Sequence, residues 1–145
     1  MTGSGTGSGE RLVLDCSAVM ALFVQESYTP QAEKILQDAF RNKTELLVPD
    51  LTFVECANVM WKYVRKGLSQ VDKAQEVLRR VSELPLSSVP TRALFDEALG
   101  AAVKLGITAY DAVYVVLARK TGSDFITGDK RLKRSEIGGR YLGDM

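Results

Sequence analysis

Histidine is absent from this sequence, and its absence excludes a large class of mechanisms. Imidazole is the usual general base near neutral pH and a common metal ligand, so serine–histidine–aspartate sites and histidine-based metal sites are excluded. Cysteine is scarce as well. The two present, Cys16 and Cys56, lie in apolar stretches and are typical of small buried residues in a reducing compartment. Any catalytic chemistry must therefore come from carboxylates, hydroxyls, amines or thiols.

Long apolar runs and a strong net charge are missing too. No apolar stretch approaches the roughly 18 residues of a membrane span, and the N-terminus lacks the basic and apolar regions of a secretory signal. We therefore expect a cytoplasmic protein with no membrane partner. The formal net charge is +1, which does not indicate nucleic acid. Basic residues do cluster at 62–66, 119–120 and 130–134, and such clusters can bind phosphate, although most charge runs are solvated surface.

The composition is that of a folded domain, with 46% hydrophobic and 26% charged residues. Residues 1–9 are Gly, Ser and Thr apart from Met1, which predicts a flexible tail before a domain of residues 10–145. Short apolar strands alternate with amphipathic helices along this domain. The alternation predicts a parallel sheet of about five strands between two helical layers, an α/β/α sandwich. Strands are expected at 12–14, 46–48, 86–89 and 125–127, with an edge strand at 141–142.

Four acids stand where strands end and helices begin. Asp15 directly follows the first strand, and Asp129 comes two residues after the strand at 125–127. Glu55 and Asp111 lie in the first turns of two helices. Ligands of open parallel sheets bind beyond the carboxyl ends of the strands, the edge at which helices also begin. The pattern therefore predicts that four carboxylates share one crevice.

Two of these acids also fit a purely structural interpretation. Glu55 follows Thr52 by three residues, and Asp111 follows Thr108 by three residues. This is the spacing of a capping box, in which the acid reaches back to the helix start and stabilises it by about 1 kcal/mol. Capping alone would explain either acid.

The other two acids have structural alternatives as well. Ser17 is expected to cap the first helix, and Asp15 can do so in its place. Asp129 can simply start the turn at Lys130. Ser17 and Thr127 stand beside two of the acids, where their hydroxyls can orient a ligand or water, or can equally serve capping and turn formation.

Burial of the acids favours a metal site. Asp111 lies in a helix that is apolar almost all round, and Asp15 follows an interior strand. Burying several carboxylates together costs many kcal/mol unless something compensates. With no histidine and no obvious paired arginine in these motifs, a divalent cation is the natural compensator. Oxygen ligands without His or Cys favour Mg²⁺ or Mn²⁺ over zinc.

Four motifs, in this order and spacing, resemble those of PIN-domain proteins, above all the toxin ribonucleases of VapBC toxin–antitoxin pairs. The resemblance covers about residues 11 to 142. Each motif is weak by itself, and four in order are specific. The motifs are Leu14-Asp15-Cys16-Ser17, the helix start Pro49 to Asn58 with Glu55, Ala109-Tyr110-Asp111-Ala112, and Thr127-Gly128-Asp129-Lys130-Arg131-Leu132.

The resemblance implies a fold, an activity and partners. It implies a five-stranded parallel sheet of order 3-2-1-4-5 and an Mg²⁺- or Mn²⁺-dependent endoribonuclease that forms a homodimer and is silenced by an antitoxin protein. Asp15, Glu55, Asp111 and Asp129 fall on the family's four acidic positions, as catalytic residues and metal ligands, and Ser17 and Thr127 fall on its supporting hydroxyl positions. Lys130 and Arg131 are expected to contact the phosphates of the RNA substrate.

Other functions fit the sequence less well. A phosphatase with Asp15 as nucleophile usually needs a second acid two residues later, where this chain has Ser17. A P-loop hydrolase needs a Gly-rich loop ending in Lys-Ser or Lys-Thr, which is absent. A PIN-like binding module without catalysis has no need of four mutually repelling acids. RNA-processing PIN nucleases often carry additional domains, so a lone domain fits the toxin better.

Overall fold

The centre of the fold is a five-stranded parallel sheet, which a computed structural model describes together with the rest of residues 9–145. The predicted tail at 1–9 lies, apart from Gly9, outside the described residues. The strands are β1 (Glu10–Leu14), β2 (Thr44–Pro49), β3 (Leu86–Val89), β4 (Asp124–Thr127) and β5 (Gly139–Tyr141), and the α-helices are α1 (Cys16–Met20), α2 (Thr29–Phe40), α3 (Leu51–Arg65), α4 (Val71–Ser82), α5 (Phe95–Leu105) and α6 (Ala109–Thr121). Short 3₁₀ helices span Thr91–Ala93, Lys130–Lys133 and Leu142–Asp144.

The strand order is β3-β2-β1-β4-β5, as the resemblance implied. Every pair in the sheet is parallel, and Leu12 of the central strand β1 is paired with Leu46 of β2 and Asp124 of β4. The chain moves outward from β1 to β3 and then returns to the other side of β1. The direction of the strand order therefore reverses between β1 and β4, which is where α/β sheets bind ligands.

Alternate residues of each strand point into two separate cores, because side chains alternate between the faces of a strand. On β1, Leu12 and Leu14 pack into the core beneath α1, α2, α3 and α4, whereas Val13 packs against α5 and α6. This is the predicted sandwich of helices, sheet and helices. Helix α6 contributes a long buried segment, since all residues from Ala112 to Ala118 are buried.

Several local expectations need correction. Asp15, not Ser17, is the N-cap of α1, and α3 begins at Leu51 with Asp50 before it, so Thr52 lies inside the helix. The edge strand β5 is Gly139–Tyr141, and Leu142 begins a 3₁₀ helix instead of continuing that strand. Caps and strand ends are hard to predict because neighbouring residues offer equivalent hydrogen bonds and packing decides among them.

The cysteines are free thiols. Cys56 is buried as expected, while Cys16 is only half-buried, and their Sγ atoms are 3.7 Å apart. Among residues 9–145, no single helix is long and apolar enough to cross a membrane, although α5 and α6 pass that test together as a pair bent by 109°.

Candidate active site at the carboxyl ends of the central strands

Asp15 is a buried carboxylate held by three donors. It leaves the end of β1, and its Oδ1 accepts the backbone amide of Ala18 at 3.0 Å and the hydroxyl of Ser17 at 2.5 Å. Its Oδ2 accepts the hydroxyl of Thr127 from the end of β4. The residue is only 5% exposed, and this burial raises the pKa of Asp15 to about 6 even though the three hydrogen bonds oppose the shift. The capping interpretation of Asp15 is correct, but capping uses only one of its three hydrogen bonds.

The two hydroxyls join the ends of β1 and β4 in one network. The Ser17 hydroxyl accepts the amide of Gly128 at 2.7 Å, and the Thr127 hydroxyl accepts the amide of Asp129 at 2.9 Å. Because each hydroxyl accepts from a backbone amide, its single proton is available for Asp15. Ser17 and Thr127 therefore link the Asp15 carboxylate to the backbone of the segment that carries Asp129.

Glu55 makes no capping box. Thr52 is fully buried, and its hydroxyl lies 2.9 Å from the Tyr114 hydroxyl of α6 instead of at the helix start. The same Tyr114 hydroxyl donates to Oε1 of Glu55. Burial raises the pKa of Glu55, and the hydrogen bond from Tyr114 partly offsets this. The side chain of Glu55 is thus directed across the crevice towards α6.

Asp111 fits the capping interpretation in one respect. Thr108 is the N-cap of α6, and its Oγ1 accepts the backbone amide of Asp111 at 3.1 Å. The Asp111 side chain remains 25% exposed, and its Oδ2 lies 3.9 Å from the Arg131 guanidinium. Partial burial nevertheless raises the pKa of Asp111, the positive charge of Arg131 opposing the shift.

Asp129 is paired with an arginine, contrary to the expectation that these motifs contain no such pair. Arg131 Nη2 lies 2.5 Å from Oδ2 of Asp129, and the hydrogen bond from this side chain lowers the pKa of the carboxyl. Asp129 also caps the turn at Lys130–Lys133 through the Arg131 amide, as its structural alternative proposed. Arg131 was predicted to contact phosphate, and its side chain is 75% exposed. Lys130 Nζ lies 5.6 Å from the ring centre of Tyr141.

The four acids are electrostatic neighbours. Beyond the effect of burial, the charge of Asp111 raises the pKa of both Asp15 and Glu55, and the charge of Asp129 raises that of Asp111. Within residues 9–145, however, no three acid or cysteine side chains converge at metal-ligating distance.

This donor set fits a divalent cation of the hard kind. All four groups are carboxylates, and three of them have pKa values raised by burial, so a positive charge would relieve their desolvation. Oxygen donors alone are what Mg²⁺ and Mn²⁺ prefer. Asp15, Glu55, Asp111 and Asp129 are the residues that would hold such an ion.

The chain is similar to proteins of one known family along most of its length. The family model described as PIN domain matches residues 12–137. The chain belongs to the PIN-domain family. It is 38% identical over 124 residues to Ribonuclease VapC3 of Pyrobaculum aerophilum, covering 84% of this chain and 92% of that protein. It is also 33% identical over 93 residues to Exonuclease VapC9 of the same organism, covering 63% of this chain and 68% of that protein.

Solved structures show the same fold. The crystal structure of PAE2754 from Pyrobaculum aerophilum matches with a TM-score of 0.66 and 29% identity, over 94% of this chain and 93% of that chain. A toxin–antitoxin complex from Klebsiella pneumoniae matches with a TM-score of 0.61 and 14% identity, over 90% of this chain and 97% of that chain.

Two grooves flank the acids of this PIN domain. A groove of about 570 Å³ on one side of Asp111 is lined by Lys130, Arg131 and Arg134. A groove of about 640 Å³ runs along α3 from Leu51 to Lys62, past Glu55, and the exposed Tyr110 also lines it. Asp111 therefore borders a basic groove, and Glu55 borders a second groove with an aromatic wall.

Sequence reasoning missed Tyr114 as a site residue. It stands three residues after Asp111 in a helix of otherwise small and aliphatic buried residues. A tyrosine in such a helix needs a partner for its hydroxyl, which is the one sequence feature that points to it. The partner itself, Glu55, is 59 residues away in the chain and follows only from the packing of α3 on α6.

Proposed function

We propose that this PIN-domain protein is an Mg²⁺- or Mn²⁺-dependent endoribonuclease and the toxin of a type II toxin–antitoxin pair. The observation that carries the proposal is Asp15, a buried carboxylate that three donors hold at the point where the strand order reverses. Burying this charge costs desolvation free energy, and three further acids lie nearby. The arrangement therefore indicates a site that binds a cation and does not serve stability.

The roles of the side chains follow from their contacts. Asp15 is fixed in orientation by Ser17, Ala18 and Thr127. Glu55 is directed across the crevice by Tyr114. The chemistry that a divalent cation supplies at such a site is activation of water and neutralisation of charge on the phosphoryl group.

The exposed arginine supplies the substrate contact. The Arg131 guanidinium holds Asp129 when no other cation does so, and it borders the basic groove. Planar guanidinium groups bind phosphate as readily as carboxylate. Arg131, together with Lys130, would therefore hold the RNA backbone across the acids.

The test is cleavage of a circular single-stranded RNA, which has no ends for an exonuclease. We expect cutting with Mn²⁺ or Mg²⁺ that is lost in EDTA and lost in Asp111→Asn and Asp15→Asn. The matched control is Asp96→Asn, an exposed acid in the first turn of α5. RNA binding in EDTA with no cleavage under any metal would instead indicate a PIN-like binding module.

An exonuclease is the second candidate, because one of the two relatives carries that name. Degradation of linear RNA or DNA from one end, with circular RNA left intact, would favour it over the endoribonuclease. The same four acids would serve either reaction, so the acid variants alone do not distinguish them.

The toxin role and the partners are proposed from the family resemblance and from the toxin–antitoxin complex that shares the fold. A small reading frame beside the gene should encode an antitoxin that copurifies with this chain and blocks its cleavage of RNA. Expression of the PIN domain alone should arrest growth, and co-expression with the antitoxin should restore it. Light scattering should give the mass of a homodimer. Absence of both arrest and partner would favour an RNA-processing nuclease.

A further inference from the structure

Tyr114 connects the helices that carry two of the acids. It lies on α6, three residues after Asp111, with a side chain that is only 1% exposed. Its hydroxyl emerges at α3 between Thr52 and Glu55, where it contacts both. One buried side chain therefore runs from the helix that carries Asp111 to the Glu55 carboxylate on α3.

The directions of these hydrogen bonds are determined. A carboxylate only accepts, so the Tyr114 hydroxyl uses its one proton for Oε1 of Glu55. The contact between Thr52 and Tyr114, 2.9 Å long, must then be donated by Thr52. The result is a directed chain from Thr52 through Tyr114 to Glu55, in which each bond polarises and strengthens the next.

The ring of Tyr114 is fixed as well as its hydroxyl. It stacks on Phe125 with ring centres 6.2 Å apart and planes inclined by 5°. Phe125 lies on β4, two residues before Thr127, which holds Asp15. The position of the Tyr114 hydroxyl is thus set by the strand that also organises the Asp15 network.

A purely structural role would not require this acceptor. A buried tyrosine needs one hydrogen-bond partner, and the neutral Thr52 already lies within reach. The Tyr114 hydroxyl donates its proton to a partly buried carboxylate, although burial disfavours this charge and raises the pKa of Glu55. Within the described residues, Tyr114 is the one hydrogen-bond donor to Glu55, and it occupies Oε1 alone. Oε2 is left free for another ligand.

We propose that Tyr114 is a positioning residue: its hydroxyl holds Oε1 of Glu55 so that Oε2 faces the divalent cation, and so fixes Glu55 relative to Asp111. This inference rests on the proposed function, because it requires a cation at the acids. It assigns Tyr114 no contact with substrate.

The test is the affinity for Mn²⁺ without RNA, measured by isothermal titration calorimetry on the purified full chain. Tyr114→Phe keeps the ring and its stacking and removes only the hydroxyl. We expect Mn²⁺ to bind about tenfold more weakly, since outer partners of metal ligands contribute roughly 10- to 100-fold to affinity or activity. Tyr63→Phe is the matched control, a half-buried tyrosine of α3 whose hydroxyl has no hydrogen bond within the described residues. It should bind Mn²⁺ as the wild type does.

A double-mutant cycle shows whether Tyr114 acts through Glu55. Glu55→Ala should weaken Mn²⁺ binding, and adding Tyr114→Phe to it should cause no further loss. Equal losses from Tyr114→Phe in both backgrounds would mean a general structural effect and would overturn the inference. Unchanged Mn²⁺ affinity in Tyr114→Phe would overturn it too. A wild type that neither binds Mn²⁺ nor cuts RNA would instead defeat the proposed function.

Discussion

Arg131 binds the Asp129 carboxylate side-on, through the Nε–Nη2 edge of its guanidinium. Its Nε lies 3.1 Å from each carboxylate oxygen of Asp129, and its Nη2 lies 2.5 Å from Oδ2. Without another cation the arginine neutralises this acid, and its 75% exposed side chain is free to turn away. Arg131 therefore competes with a metal ion for the Asp129 carboxylate. Its guanidinium can bind either this carboxylate or a phosphate group.

Removing this competitor should strengthen metal binding and weaken RNA binding. In Arg131→Met, Mn²⁺ affinity should rise, by no more than about fivefold because exposed ion pairs are weak. RNA affinity measured in EDTA by fluorescence anisotropy should fall. The plot of log affinity against log salt should become less steep, its negative slope shrinking in magnitude by roughly 0.7 for one lost phosphate contact on a single strand.

Arg92→Met is the control for this change, since Arg92 is exposed and lies in the 3₁₀ helix after β3. It should leave the Mn²⁺ affinity and the salt slope as in the wild type. A loss of Mn²⁺ affinity in Arg131→Met would mean that Arg131 organises the acids instead of competing for them.

Asp15 should destabilise the metal-free protein as the pH rises. Its pKa is about 6 in the folded chain against 3.8 as the ordinary value, so between these values the folded state binds more protons than the unfolded state. The free energy of unfolding must then fall with rising pH across this window. The loss totals roughly 3 kcal/mol and is complete above about pH 6. Urea denaturation in EDTA from about pH 4 to pH 7 measures it.

Other acids titrate nearby, so the comparison is with Asp15→Asn. Burial raises the pKa of Glu55 and Asp111 in the same direction, whereas the hydrogen bond from Arg131 lowers that of Asp129. Subtracting the variant's pH profile from that of the wild type isolates Asp15. Parallel profiles would show that Asp15 titrates normally. Saturating Mn²⁺ should oppose the fall in the wild type, because the cation binds the ionised carboxylate and stabilises the folded state.

Replacing Gly128 even by alanine should destabilise the protein, because Tyr28 packs closely against this position. A Cβ at this position would stand 2.6 Å from the Tyr28 hydroxyl and 2.9 Å from Cζ, and Tyr28 is itself buried edge-on against Tyr141. Gly128→Ala should cost about 1–3 kcal/mol of stability through overpacking. It should also displace the loop between Thr127 and Asp129 and lower cleavage. Thermal unfolding and RNA cleavage measure the two effects.

Gly100→Ala provides the opposite expectation. No atom lies within 4 Å of a Cβ built at Gly100, which is an exposed interior position of α5. Alanine there should stabilise the protein by about 0.5–1 kcal/mol, the ordinary gain in a helix. If Gly128→Ala also stabilised the protein, the close packing of Tyr28 against Gly128 would be wrong.

The parts of the fold that the sequence predicts are those with local causes. Thr108 begins α6 because its hydroxyl caps the helix, and Gly122 ends it at a φ of 64° because glycine has no Cβ to oppose the left-handed conformation. Asp15 and Asp129 stand at the ends of neighbouring parallel strands because each follows a short apolar run. Such rules use residues a few positions apart, so the sequence is sufficient for them.

The contacts that the sequence does not predict join residues far apart in the chain or depend on a small difference in free energy between two alternatives. The bond from Tyr114 to Glu55 joins residues 59 apart, and the bond from Thr127 to Asp15 joins residues 112 apart. The packing of α3 on α6 determines the first bond, and the pairing of β1 with β4 determines the second. No local pattern encodes either. The Arg131–Asp129 pair joins residues only two apart in a turn. Its formation competes with hydration of the exposed arginine, and residue spacing alone does not determine which of the two is more stable.

Thr127→Val should test whether the Asp15 network serves the carboxylate. Thr127 is fully buried, and valine keeps its shape while removing the hydroxyl that donates to Asp15 and accepts from Asp129. Near pH 8 the loss of a hydrogen bond to a buried charge should cost about 1.5–3 kcal/mol. Below about pH 5 it should cost less, because Asp15, with a pKa of about 6, is then protonated. Mn²⁺ affinity and cleavage should fall as well.

Thr121→Val is the control for this change. It removes a hydroxyl that donates to the Leu117 carbonyl at 2.7 Å, at the far end of α6, and it should lose stability equally at both pH values and keep its activity. A pH-independent loss in Thr127→Val would mean that Thr127 packs the strand end without serving the charge of Asp15.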